Sequence, residues 1–220
     1  MNGLTYAIGD IHGRHDLLVR LLSDIAAHAD GRNHRVICLG DYIDRGPDSA
    51  GVLGTLMTLQ SSRPGEVVCL MGNHEAMLLE AMSDLRAATL WIMNGGDATL
   101  ASYGVSSPQA VPTAVTEWLA TLPAAFQDNR HYFVHAGFRP GRRIDKQSRT
   151  DMLWIREAFL DRDYDFGKHV AHGHTPSADF RPDNRPFRTN LDTGAVFGGP
   201  LTAGIFDDRQ GPPVGFLSVS

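Results

Sequence analysis

Short apolar runs alternate with amphipathic stretches through the first part of the chain. Leu4–Ile8 reads as a strand. Across residues 16–29, Leu17, Leu18, Leu21, Leu22 and Ile25 form one apolar stripe at helical spacing. Residues 35–39 (RVICL) predict a second strand and 49–59 a second helix. Residues 67–71 (VVCLM) predict a third strand and 75–86 a third helix. This β-α-β-α-β rhythm implies parallel strands joined by helical crossovers. The pattern then breaks at Asn94-Gly95-Gly96 and at Pro108. Only 113–122 reads as helix there, so a small helical cap inserted at about 87–125 is expected. Strand-like runs follow at His131–Val134, 169–171, 189–191, Leu201–Phe206 and Gly215–Val219. Their short turns favour more antiparallel pairing. The expected fold class is α/β: two packed mixed β-sheets flanked by helices, in one domain over 1–220.

Composition narrows the function classes. With 220 residues, 42% apolar and 20% charged, the chain can bury a core without disulfide staples, and disorder as a whole is excluded. No apolar run approaches the roughly 18 residues of a membrane span. MNGLTYAIGD lacks the basic stretch and long apolar run of a secretory leader. A cytoplasmic protein with no membrane partner is therefore expected. Cys38 and Cys69 sit inside apolar runs and read as reduced core thiols on neighbouring strands. A net charge of −5 argues against a nucleic-acid partner. The ten histidines are more than this length leads one to expect.

The informative residues follow the apolar strands. After the first comes Gly9-Asp10-Ile11-His12-Gly13, after the second Gly40-Asp41-Tyr42-Ile43-Asp44-Arg45-Gly46, and after the third Gly72-Asn73-His74-Glu75. The later runs lead into His135-Ala136-Gly137 and His172-Gly173-His174-Thr175. Loops at the carboxyl ends of parallel strands converge on one crevice, and their glycines permit unusual backbone angles. Carboxylate, imidazole and carboxamide donors suit Mn, Fe, Zn, Ni or Co better than Ca. The two cysteines lie within strands, which disfavours a thiolate zinc site. Asp10, His12, Asp41, Asn73, His135 and His174 exceed what one ion needs. They could hold two, with one carboxylate bridging, as suits displacement at phosphorus.

GDIHG, GDYIDRGP, GNHE, HAG and GHT, in that order, resemble the metallophosphoesterases. More closely, they resemble the phosphoprotein phosphatase family of Ser/Thr phosphatases in its small bacterial and phage form. The resemblance runs from Leu4 to the DTGA segment beginning at Asp192. Any one four-residue match arises by chance in about one protein in a thousand; five in family order do not. The resemblance implies that Asp10 and His12 bind a first metal, that Asp41 bridges, and that Asn73, His135 and His174 bind a second. Two divalent ions, Mn2+ foremost, are expected. His74 would be the general acid for a poor alkoxide leaving group, oriented by Asp44. Arg45 and Arg156 would grip the phosphoryl oxygens as bidentate forks, with Asn73 a further phosphate contact. Two metals, two carboxylates, a bridging hydroxide and two arginines give a local charge of about +3 in an acidic protein. The implied reaction is dephosphorylation of phosphoserine or phosphothreonine proteins, with phosphotyrosine proteins also in range. The metal-bridging hydroxide would attack directly, with no phosphoenzyme.

Two alternatives stay open. A symmetrical dinucleoside tetraphosphate hydrolase shares the metal core, but such enzymes usually lack an acidic residue at the Asp44 position and carry GNHD for GNHE. A non-catalytic metal-binding scaffold would be expected to have lost His74, Asp44 or an arginine. Outside the motifs, His172 is left out of the ligand set, and His15, His28, His34, His131 and His169 are expected at solvent or helix ends. Trp91, Trp118 and Trp154 are expected as core or cap anchors rather than stacking platforms. Asn94-Gly95-Gly96, Asp97 and Tyr103 form a candidate substrate-facing loop. Arg139, Arg142, Arg143 and Arg149 read as a solvated basic face.

Overall fold

The computed structural model describes residues 3–220. Ten strands form two five-stranded sheets. In the first, β1 (Leu4–Ile8), β2 (His34–Cys38) and β3 (Val67–Cys69) run parallel, linked by α1 (His15–Ala29) and α2 (Ser49–Ser62). β9 (Leu201–Phe206) and β10 (Gly215–Val219) extend it antiparallel beyond β1. The second sheet has the order β4 (Ala125–Gln127), β5 (His131–Val134), β6 (His169–His172), β8 (Arg188–Asn190), β7 (Asp183–Asn184). Its edge pairs are antiparallel, but β5, β6 and β8 are parallel. The second half is therefore less antiparallel than its short turns implied. The long excursion between β5 and β6 carries helices, which permits a parallel return.

Each buried strand divides its side chains between two layers. Tyr6, Ile8, Val36 and Cys38 face the helices, while Ala7, Ile37 and Leu39 meet Phe133, Ala171 and Phe206 between the sheets. Both faces are covered, which is why these strands read as continuous apolar runs. Cys38 and Cys69 are register partners on adjacent strands, both buried and free. The expected helix at 75–86 divides into α3 (Asn73–Ala81) and α4 (Leu85–Trp91), because Asp84 accepts from the N–H groups of Arg86 and Ala87 and starts a new helix. A π-turn (Ile92–Gly96), α5 (Asp97–Tyr103) and α6 (Thr113–Ala120) follow. Trp91, Leu100, Val115 and Leu119 from this stretch join the core shared with α1–α3. After α7 (Arg149–Trp154), Ile155 and then Phe159 of α8 (Glu157–Leu160) pack with Val134, Phe138 and Val170 on the outer face of the second sheet, while Leu153 of α7 joins the first core.

His131 and His169 are corrections. They are 1% and 3% exposed, lie across from each other on β5 and β6, and pack near Phe206 between the sheets. Strand alternation puts them on the side of Phe133 and Ala171, which no local polar pattern reveals. Among the described residues, no helix is long and apolar enough to cross a membrane.

Candidate metal centre

The loops after β1, β2, β3, β5 and β6 are fastened to one another. The N–H groups of Ile11 and His12 both donate to the carbonyl of Asp41, at 3.0 and 2.9 Å. The Glu75 carboxylate accepts from Asp41, Tyr42 and Gly72 N–H at 2.8 to 2.9 Å, pinning the second loop to the third. Gly173 N–H donates to the His135 carbonyl (2.8 Å), and His174 N–H to the Asp10 carboxylate (3.1 Å). His12, Asp41, Asp44, Arg45 and His174 are five of the seven non-glycine residues with left-handed φ among those described. Such conformations persist only where the surroundings over-determine them. Gly72 and Gly173 serve differently from the expectation: what they provide is room. A Cβ at Gly173 would lie 2.0 Å from Asp10 Oδ1, and one at Gly72 would lie 2.3 Å from Asp41 Oδ1.

His12, Asp41, Asn73, His74, His135 and His174 come together and are all at least 95% buried. Two candidate ligand groups, His12–Asp41–His74 and Asp41–His135–His174, share Asp41. Asp41 turns Oδ1 to His135 Nε2 (3.3 Å) and Oδ2 to His12 Nε2 (3.5 Å) and His74 Nε2 (3.9 Å). The Nδ1–H of His135 donates to the Leu39 carbonyl and that of His12 to the Ile43 carbonyl, so each Nε2 carries a lone pair and no hydrogen. His135 Nε2 stands 2.9 Å from Asn73 Oδ1, and His174 Nδ1 stands 2.8 Å from the same oxygen. Acceptors turned toward acceptors in a buried place fit a cation among them.

The electrostatics suit His12, His174 and Asp41 as ligands. Burial lowers His12 to about 3, and burial with the adjoining His135 lowers His174 to about 2. Both stay neutral, as ligands must. Burial would raise Asp41, but the surrounding imidazoles of His135, His74, His12 and His174 outweigh it and hold the carboxyl low. Asp10 is pushed well up by burial and by the carboxylates of Asp192 and Asp41. Asp192, from the DTGA segment, is pushed up to about 7, chiefly by burial. It is a buried carboxyl that the charge count from sequence omitted.

Asp44 is fully buried. Its Oδ2 lies 2.6 Å from His74 Nδ1 and accepts from Trp91 Nε1 at 2.8 Å, while Oδ1 accepts from Thr99 Oγ1 at 2.6 Å. Burial opposes protonation of His74, yet Asp41 and Asp44 together raise it above its ordinary value. Trp91 is thus more than the anchor its sequence implies, and Thr99 carries no sequence signal: they lie 47 and 55 residues from Asp44, beyond any local pattern. Arg45 Nη1 donates to His12 Nε2 (2.8 Å), and its guanidinium lies over the Phe197 ring. The Asn94–Gly96 break wraps this side of the site: the Gly95 carbonyl accepts from Arg45 N–H, and Gly96 packs on the Trp91 ring. Arg156 is exposed at the start of α8, and its charge acts on His135 and His174. Trp154 departs from the anchor expectation: it is 43% exposed, with its ring 6.1 Å from that of His174. Of the basic stretch, Arg139 and Arg142 pair with Asp151, and Arg143 with Asp145.

The calcineurin-like phosphoesterase family profile matches residues 4–201. The serine/threonine-protein phosphatase 1 of Salmonella typhimurium is 32% identical over 90% of this chain and 89% of its own length. An asymmetrical bis(5′-nucleosyl)-tetraphosphatase of Anoxybacillus flavithermus is 29% identical over 89% of this chain and 87% of its own. Among solved structures, a candidate diadenosine tetraphosphatase superposes with a TM-score of 0.69 at 24% identity, covering 99% of this chain and 93% of that one.

Proposed function

The chain belongs to the calcineurin-like phosphoesterases, and from that premise we propose that it removes phosphate from phosphoserine and phosphothreonine in proteins or peptides. The buried Asp44–His74 pair carries this reading. A serine or threonine alkoxide is a poor leaving group and needs a proton as it departs. The phosphate released from an anhydride leaves far more easily without one. Asp44, held in turn by Trp91 and Thr99, fixes the His74 ring so that Nε2 points at the ligand cluster.

Asp10, His12 and Asp41 would hold one divalent ion, and Asp41, Asn73, His135 and His174 a second, with Mn2+ the first to try. Such ions, when bound, polarise phosphoryl oxygens and acidify water. The chain's own part is orientation and charge. Arg45 and Arg156 offer forked donors to the phosphoryl oxygens on the two sides of the cluster. His74 delivers its proton to the departing oxygen. Glu75 acts at a distance from substrate by fixing Asp41 and Gly72. An aspartate there would be one methylene short.

The similarity to a dinucleoside tetraphosphatase makes dinucleotide hydrolysis the second reading. The deciding experiment strips the protein of metal, restores Mn2+, and compares kcat/KM for a phosphoserine peptide and diadenosine tetraphosphate. A higher value for the peptide is expected. A higher value for the dinucleotide would overturn the substrate assignment while leaving the metal centre intact.

A further inference from the structure

Trp154 is the exposed aromatic side chain that stands against a candidate metal ligand. Its neighbours Leu153 and Ile155 are 3% and 6% exposed, whereas Trp154 is 43% exposed. The chain on either side is thus anchored in the core, and the indole is presented outward. The helix that ends at Trp154 is fixed at its start. Ser148 Oγ accepts from Asp151 N–H at 3.0 Å, and Asp151 takes the Arg139 guanidinium through Nε at 3.0 Å. The indole meets the His174 ring nearly edge-on, at 82°. Two residues further on, Arg156 places its charge near the same histidine.

We infer that Trp154 is a specificity residue, a wall for the aromatic ring of an aryl phosphomonoester such as phosphotyrosine. In an aryl ester the ring is joined directly to the departing oxygen, so it lies beside the phosphoryl group. A wall one ring removed from His174 is placed for such a group. A phosphoserine has only a methylene there, and a nucleobase stands a ribose further off. A large exposed aromatic beside a polar site is the arrangement that binds flat rings by stacking. The inference rests on the phosphomonoesterase reading above and assigns to Trp154 the preference of that site among aryl and alkyl esters. It also separates two tasks: His74 serves the alkyl ester that needs a proton, and Trp154 serves the aryl ester that does not.

The test compares wild type, Trp154→Ala and Trp154→Phe, with Mn2+ restored. The substrates are two peptides of one sequence carrying phosphotyrosine or phosphoserine. Trp154→Ala is expected to lower the ratio of kcat/KM, phosphotyrosine over phosphoserine, by about two- to tenfold. The loss should appear mainly in KM, and Trp154→Phe should restore most of it. An unchanged ratio, or equal losses on both peptides, would overturn the inference. So would an unchanged ratio accompanied by a raised KM for diadenosine tetraphosphate, which would assign the wall to a nucleobase. Should wild type turn over neither peptide, the protein-phosphatase reading fails on its own. The wall is then judged by the same ratio on 4-nitrophenyl phosphate and free phosphoserine.

Discussion

Asp44 and Trp154 stand at the two ends of one histidine-rich cluster, and they are held in opposite ways. Asp44 is fully buried and its carboxylate engages His74, Trp91 and Thr99. Every partner comes from a different element, so the carboxylate has one geometry open to it. Trp154 meets the cluster at the His174 ring and keeps 43% of its surface in solvent. A buried network is costly to leave half-satisfied. An exposed ring can change with little effect on the core. The end proposed to handle the proton is thus fixed by the fold, and the end proposed to meet the ester group is open to variation.

The largest expected effect lies at the buried end. His74→Asn should lower kcat on a phosphoserine peptide by about two to four orders of magnitude, with much less loss on 4-nitrophenyl phosphate. Elemental analysis should find the metal content unchanged. Equal losses on both substrates would remove the proton-donor role, and lost metal would make His74 a ligand. Trp91→Phe comes next. It deletes one donor to a buried carboxylate, which costs about 1–3 kcal/mol, seen as a lower denaturation midpoint. Its activity loss should follow the His74→Asn pattern, about tenfold on the alkyl ester and smaller on the aryl ester. A uniform loss would mean that the indole only fills space.

The smallest effect is on the rim. The Arg139 guanidinium holds the Asp151 carboxyl below the usual range. A depressed folded-state pKa adds stability above the unfolded value of about 4, and that stability is lost as pH falls through the folded value. Asp151→Asn should therefore lower Tm at pH 7 by at most about 2–4 °C, since Arg139 is half exposed and screened. The gap to wild type should close as pH drops toward 3. A gap independent of pH would show that the helix cap, rather than the ion pair, is what Asp151 contributes.

Much of the fold was legible in the sequence. The β1–α1–β2–α2–β3 half follows from runs of apolar residues whose neighbours along the chain are also their neighbours in structure. The second sheet was legible only as a set of strands. Its parallel β5–β6–β8 order depends on which strands meet after a long excursion, and the burial of His131 and His169 depends on the other sheet lying over them. Nor did composition announce that β9 and β10 would complete the first sheet.

At the candidate centre the sequence by itself determined which donors exist and on which loops they sit, because each strand-end motif is a few residues long. It also determined that the loops after β1, β2 and β3 share one edge, since parallel strands leave no other place for them, whereas the second sheet decided that the His135 and His174 loops join them. Only the tertiary structure decided how the donors face one another. It set the left-handed backbone at Asp41, Asp44 and His174, the Trp91 and Thr99 donors that lock Asp44, the burial of the Asp192 carboxyl, and the outward turn of Trp154. These depend on contacts between residues far apart in the chain, and on the low dielectric that burial creates around them, and neither is written in any single motif.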